Sequence, residues 1–123
     1  MRRLALALPE TAEGLAYGHA AWRVRKKVFV WERPLRKTDL AALGDAAPSG
    51  PVLGAWVEHV GAKEALLATE PGLFFTTPHF DGYAIVLVRL DSIGLEGLEE
   101  VVVEAWLARA PARSARIYLD AAR

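Results

Sequence analysis

HAAWRVRKKVFVWERPLRK, residues 19–37, interleaves β-branched and aromatic residues with charges, which is the pattern of strands half exposed to water. Arg25-Lys26 is the natural turn. Ala21 to Val24 and Lys27 to Arg33 then form a hairpin, closed by Pro34, which cannot donate to a strand ladder. Two-residue turns favour glycine or asparagine, so an Arg-Lys turn predicts strain or a bulge. The same stretch sets Arg23, Arg25, Lys26, Lys27, Arg33, Arg36 and Lys37 around Trp22, Phe29 and Trp31, with Glu32 as the only acid. From Glu58 to Glu104 the balance reverses, with nine acidic residues against Lys63 and Arg89, so the formal charge of +0 conceals a polar distribution.

The hairpin's surroundings fix the fold class. Before it, Leu4, Leu6 and Leu8 sit among alanines up to Pro9 and predict a short helix near residues 2–8. Arg2 and Arg3 oppose the dipole of that helix, which reads as a truncated start and raises the expectation that the native start lies upstream. After the hairpin, residues 37–43 predict one or two helical turns with Thr38 as N-cap and Gly44 as stop. Strands follow at residues 52–60 and 73–76, with a helix between them from Ala62 to Thr69. Tyr83 to Leu90, YAIVLVRL, is nearly continuous in apolar character and predicts a central strand buried on both faces. Leu98, Val101, Val102, Ala105 and Trp106 recur at helical spacing within residues 95–109 and predict a long helix pressed onto the sheet. Pro111 opens a last helix reaching about Ala121. Strands in hairpins with helices at both chain ends make an α+β fold with a mainly antiparallel sheet.

The 123 residues, 53% of them hydrophobic, match one domain spanning residues 1–123 with one sizeable core. The absence of cysteine excludes a disulfide framework and thiolate metal sites, and suits a cytoplasmic location. The opening MRRLALALPE imitates a signal peptide, but its apolar run ends at Pro9 with no cleavage site, so export is not expected. No apolar stretch approaches the ~18 residues that read as a membrane span. A pI near 6.8 disfavours a dedicated nucleic-acid binder.

Three blocks carry a family resemblance: LALPETAEGLAYGHAAWRVRKKVFV (6–30), LLATEPGLFFTTPHFDGYAIVLVRL (66–90) and EAWLARAP (104–111). Together they resemble the MmcQ/YjbR family, with its leucine-proline-glutamate helix end, aromatic-Arg-Val hairpin, and Thr-x-Pro-His-aromatic-Asp-Gly-Tyr run before a central strand. The resemblance implies a compact α+β fold related to the frataxin-like CyaY architecture, and a DNA-binding label resting on a proposed double-wing arrangement. The chain departs from the family at its hairpin turn, where glycine or asparagine is usual.

Each chemical constellation has a functional and a structural reading. The seven hairpin cations suit weak, sequence-tolerant contact with phosphates, with Trp22 or Trp31 against sugar or base. Equally, alternation makes Arg23 and Arg25 surface charges that blunt strand pairing, with Trp22, Val24, Val28 and Val30 in the core. TTPHFDGY, residues 76–83, holds His79, Asp81 and Tyr83 as candidate ligand-binding residues, although Asp81-Gly82 is also a ready-made turn. Two nearby ligands do not make a zinc site, and no metal or cofactor is expected. Glu96, Glu99, Glu100 and Glu104 follow one helix face, which is the ordinary solvated side of an amphipathic helix. Ser49, Ser92 and Ser114 lie in no nucleophile motif, and no phosphate-binding glycine fingerprint is present.

The expectation is a non-enzymatic, monomeric cytoplasmic binding domain that touches DNA through the hairpin; the alternative is a protein or small-ligand interaction module with no nucleic acid. A continuous positive stripe would favour the first, and cations paired with local acids the second.

Overall fold

The computed structural model describes residues 1–122. Its elements run α1 (Arg2–Leu6), β1 (Thr11–Ala16), β2 (His19–Val24), β3 (Lys27–Glu32), α2 (Lys37–Leu43), β4 (Val52–Trp56), α3 (Val60–Thr69), β5 (Phe74–Phe75), β6 (Ile85–Arg89), α4 (Leu95–Arg109) and α5 (Ala112–Ala121). Single 3₁₀ turns occupy Gly44–Ala46 and Pro78–Phe80. All strands join one antiparallel sheet in the order β1-β2-β3-β4-β6-β5, so the α+β class holds.

Strand register assigns each side chain to one of two apolar layers. Trp22, Val30, Ala55 and Val86 are successive partners across β2, β3, β4 and β6, and they face α4. From α4 the buried Val102, Ala105 and Trp106 meet them. One residue along, Ala21, Trp31, Gly54, Leu87 and Phe75 form a row on the reverse face. There Trp31, Phe75, Leu87, Phe80, Leu35 and Leu43 make a second cluster, covered by α2 and the 3₁₀ turn at Pro78–Phe80. Burial on both faces explains the unbroken apolar run of β6, whose residues 85–88 are all buried. β6 is interior without being central, because the short β5 lies outside it.

The second layer depends on a missing side chain. A Cβ at position 54 would stand 2.6 Å from Trp31 Cε2 and Cζ2, well inside contact distance, with the indole wedged between strand and loop. Gly54→Ala is therefore expected to cost about 1 to 3 kcal/mol through forced repacking. Urea unfolding would measure it, and an unchanged midpoint would contradict the packing described.

Several local expectations are corrected. β1 has no counterpart in the sequence reading. The helix at Lys37–Leu43 is not capped by Thr38: Arg36 is the N-cap, and its amide donates to Asp39 Oδ2 at 2.8 Å. The strand expected to reach residue 60 stops at Trp56, and α3 starts at Val60, where His59 Nδ1 accepts from the Ala62 amide. The strain predicted at the Arg-Lys turn is present. Arg25 takes a left-handed φ of 56°, and the β2–β3 register shifts between Trp22 and Arg23. That bulge turns Phe29 as well as Val30 into the core, where both are fully buried.

Candidate functional site

Hairpin geometry decides which of the seven cations face water freely. Arg33 is 6% exposed, its Nη2 lying 3.0 Å from Asp39 Oδ2, its Nη1 donating to the Pro34 carbonyl, and its guanidinium 5.2 Å from the Phe80 ring centre. It is a core group. Arg25 pairs with Glu10, with both Nε and Nη2 at 2.9 Å from Oε1. The Glu10 carboxyl lies below the usual glutamate range, held there first by the Ser114 hydroxyl; partial desolvation opposes this, and Arg25 adds a smaller lowering effect. Arg23 bends over Gly14 and donates from Nη2 to the Leu15 carbonyl at 3.1 Å.

Four exposed cations remain outside any ion pair among the described residues: Lys26 and Lys27 at the hairpin tip, and Arg36 and Lys37 beyond the far end of β3. Six residues of β3 span roughly 20 Å, more than twice the ~8 Å Debye length at physiological salt. The two pairs therefore act as separate small patches. The aromatic residues do not join them either. Phe29 is fully buried, Trp22 donates from Nε1 to Glu13, and Trp31 is half-buried against Phe80. Neither tryptophan can lie against a base without leaving its layer.

Residues 76–83 form the other candidate. Here the polar character divides by burial: Thr77 and Phe80 face inward, while His79, Asp81 and Tyr83 are exposed. Lys63 is the clamp, 5% exposed, donating from Nζ to the Phe80 carbonyl at 2.8 Å and the Tyr83 carbonyl at 3.0 Å. Burial pushes its ammonium pKa down, opposed by the nearby Asp81 charge. Phe80 anchors the loop under Trp31, with the His79 ring edge-on to it at 4.8 Å. The Arg33–Asp39 pair fixes the other side of Phe80. Asp39 and Lys63 were missed as supporting groups, though Lys63 carried a signal: it shares a helical stripe with Leu66 and Leu67, which places a cation on the inward face.

Lys63→Met keeps the buried stem but strands two carbonyls, so a loss of about 1 to 3 kcal/mol is expected. Loop amides of residues 80–83 should exchange faster in the variant than in the wild type. Unchanged exchange there would mean that Lys63 does not hold the loop.

Among the described residues, no three His, Asp or Glu side chains gather as metal ligands, and no helix is long and apolar enough to cross a membrane. The α4 glutamates Glu96, Glu99, Glu100 and Glu104 are all exposed.

Comparison with known proteins agrees with this architecture. The YjbR family model matches residues 6–108. Uncharacterized protein Mb2600 of Mycobacterium bovis and uncharacterized protein Rv2570 of Mycobacterium tuberculosis are each 49% identical over 120 residues, which is 95% of this chain and 91% of the relative. The crystal structure of Deinococcus radiodurans protein DR2400, of the DUF419 domain, aligns with a TM-score of 0.63 at 18% identity, covering 86% of this chain and 72% of that one. At that identity the likeness is one of fold.

Proposed function

The chain belongs to the YjbR family, and from that premise we propose that it is a non-enzymatic protein-interaction module whose presented element is the loop of residues 76–83. The observation that carries this reading is the division within the loop. Its backbone and inward side chains are held by Lys63, Phe80 and the Arg33–Asp39 pair, while His79, Asp81 and Tyr83 point to solvent. A loop immobilised before binding loses less entropy on association, and rigid scaffolds carrying exposed polar and aromatic loops are the usual form of a recognition surface. A half-exposed tyrosine beside a histidine and a carboxylate suits a protein surface, where aromatic residues with a polar tip are enriched.

The triple variant His79→Ala, Asp81→Ala, Tyr83→Ala tests the reading, because all three side chains are exposed, and an unfolding midpoint within a few degrees of the wild type checks that the loop's anchor at Phe80 and Lys63 survives. Quantitative affinity capture from cells of the source organism should recover at least one polypeptide with the wild type and with Lys26→Glu/Lys27→Glu, and lose it with the triple variant. Retention by the triple variant would overturn the proposal.

Sequence-tolerant DNA contact is the second reading, supported by the exposed Lys26 and Lys27 beside Arg25 at the hairpin tip. Two to four cations in separate patches would give only weak, salt-sensitive binding.

A further inference from the structure

A groove on the α4 side of the sheet has a chemistry that neither reading uses. α4 lies over β3 and β4, and α3 lies against β5 and β6, which leaves a shallow apolar slot between the two helices, walled by the half-buried Leu66, Leu73, Ile93 and Val101 above the buried Phe74 and Val86. The cavity holds about 150 Å³. Pockets for drug-sized molecules run from about 300 to 1,000 Å³, so this one accommodates a single large side chain. Its rim carries Glu70, Glu100 and Glu104, all exposed, and none is in an ion pair among the described residues.

Gly97 of α4 also lines the groove. Glycine inside a helix costs about 1 kcal/mol relative to alanine, yet here even a Cβ would press to 3.1 Å from Ile93 Cγ1. The glycine thus answers to the close approach of Ile93, and it leaves this end of the groove without a side chain. An apolar slot ringed by three unpaired carboxylates is complementary to one kind of surface. A nucleic acid would be repelled, and a polyamine would leave the floor empty.

We propose that the α3–α4 groove docks a basic, apolar segment of a partner protein, with one large apolar side chain between Leu66, Leu73, Ile93 and Val101 and flanking lysines or arginines at Glu70, Glu100 and Glu104. The mode is that of an anchor side chain in a groove, with rim charges setting specificity and association rate. The site lies apart from the loop of residues 76–83, so it goes beyond the function proposed above.

Selection from a random peptide display library against the immobilised protein tests it, followed by anisotropy of the labelled winners. The expected consensus places a leucine, isoleucine, phenylalanine or tryptophan between basic residues. Its affinity should fall at least tenfold with Glu100→Lys/Glu104→Lys, whose side chains are exposed and do not support the core. Replacing the peptide's central apolar residue by alanine should have a similar effect. The His79/Asp81/Tyr83 triple alanine variant should bind these peptides unchanged, which separates the groove from the loop. Absence of enrichment, a consensus without basic residues, or binding indifferent to the glutamate reversals would overturn the proposal; loss only in the triple alanine variant would assign the peptides to the loop and overturn it too.

Discussion

Trp106→Ala is expected to destabilise the protein by about 3 to 5 kcal/mol, the cost of removing a large buried side chain and leaving a cavity. Trp106 is the largest fully buried side chain, at the junction of α4 with the sheet. Its ring stands 5.2 Å from that of Tyr118, and its Nε1 donates to the Pro9 carbonyl at 3.0 Å. The substitution therefore loosens α5 and the turn after α1 together. Against a typical total of about 5 to 15 kcal/mol, the loss would lower the melting temperature by on the order of 10 to 20 °C. An unchanged melting temperature would mean that α4 is not the principal support of the sheet.

Asp39→Ala is expected to cost about as much, roughly 3 to 5 kcal/mol, for a different reason. It leaves the Arg33 guanidinium buried without its counter-charge, and it removes the acceptor of the Arg36 amide at the start of α2. The double variant Arg33→Met/Asp39→Leu should recover most of the loss, because buried ion pairs are replaceable by apolar groups of similar size. If the double variant is as unstable as the single one, the damage lies in the helix cap and not in the orphaned charge.

The same pair gives a pH dependence. Burial works to raise the Asp39 pKa, but the Arg36 amide, then the Arg33 charge and hydrogen bond, outweigh it and hold the carboxyl below the usual aspartate range. The unfolded chain therefore takes up the proton first as pH falls. Stability from this group is fully present above about pH 4, the ordinary aspartate value, and is lost as pH drops through the lower folded pKa. The wild type should show this acid-side loss, and Asp39→Ala should show a correspondingly shallower slope.

What the sequence made legible was the part governed by periodicity. The α4 stripe and the Arg25-Lys26 turn follow from local pattern and stand where that pattern placed them; β6 is buried on both faces as expected but begins at Ile85, which leaves Tyr83 exposed in the preceding loop. β1 was illegible because TAEGLA, Thr11 apart, is made of residues with little strand preference and occupies a sheet edge, where pairing with β2 and not intrinsic propensity makes it a strand. A turn left-handed at both Tyr17 and Gly18 returns it to β2. Alternation placed Val28 and Val30 in the core without Phe29, and the bulge that breaks this alternation buries Phe29 beside Val30 while Val28 is only half-buried. The division of the cations was out of reach for a related reason. Arg33 meets Asp39 six residues on, and Arg25 meets Glu10 fifteen residues back, through contacts that only the folded chain creates. The loop of residues 76–83 could be singled out from its composition, but its clamp, Lys63, comes from another element.

The proposed recognition of a protein surface, as against a phosphate backbone, is tested by anisotropy of a labelled DNA duplex titrated with the protein at low and physiological salt. No saturable binding is expected at physiological salt, and at low salt at most a weak signal. Tight binding whose log K falls with log salt at a slope of several units, at about 0.9 per phosphate neutralised, and which is lost in Lys26→Glu/Lys27→Glu, would contradict it and make the hairpin the functional surface.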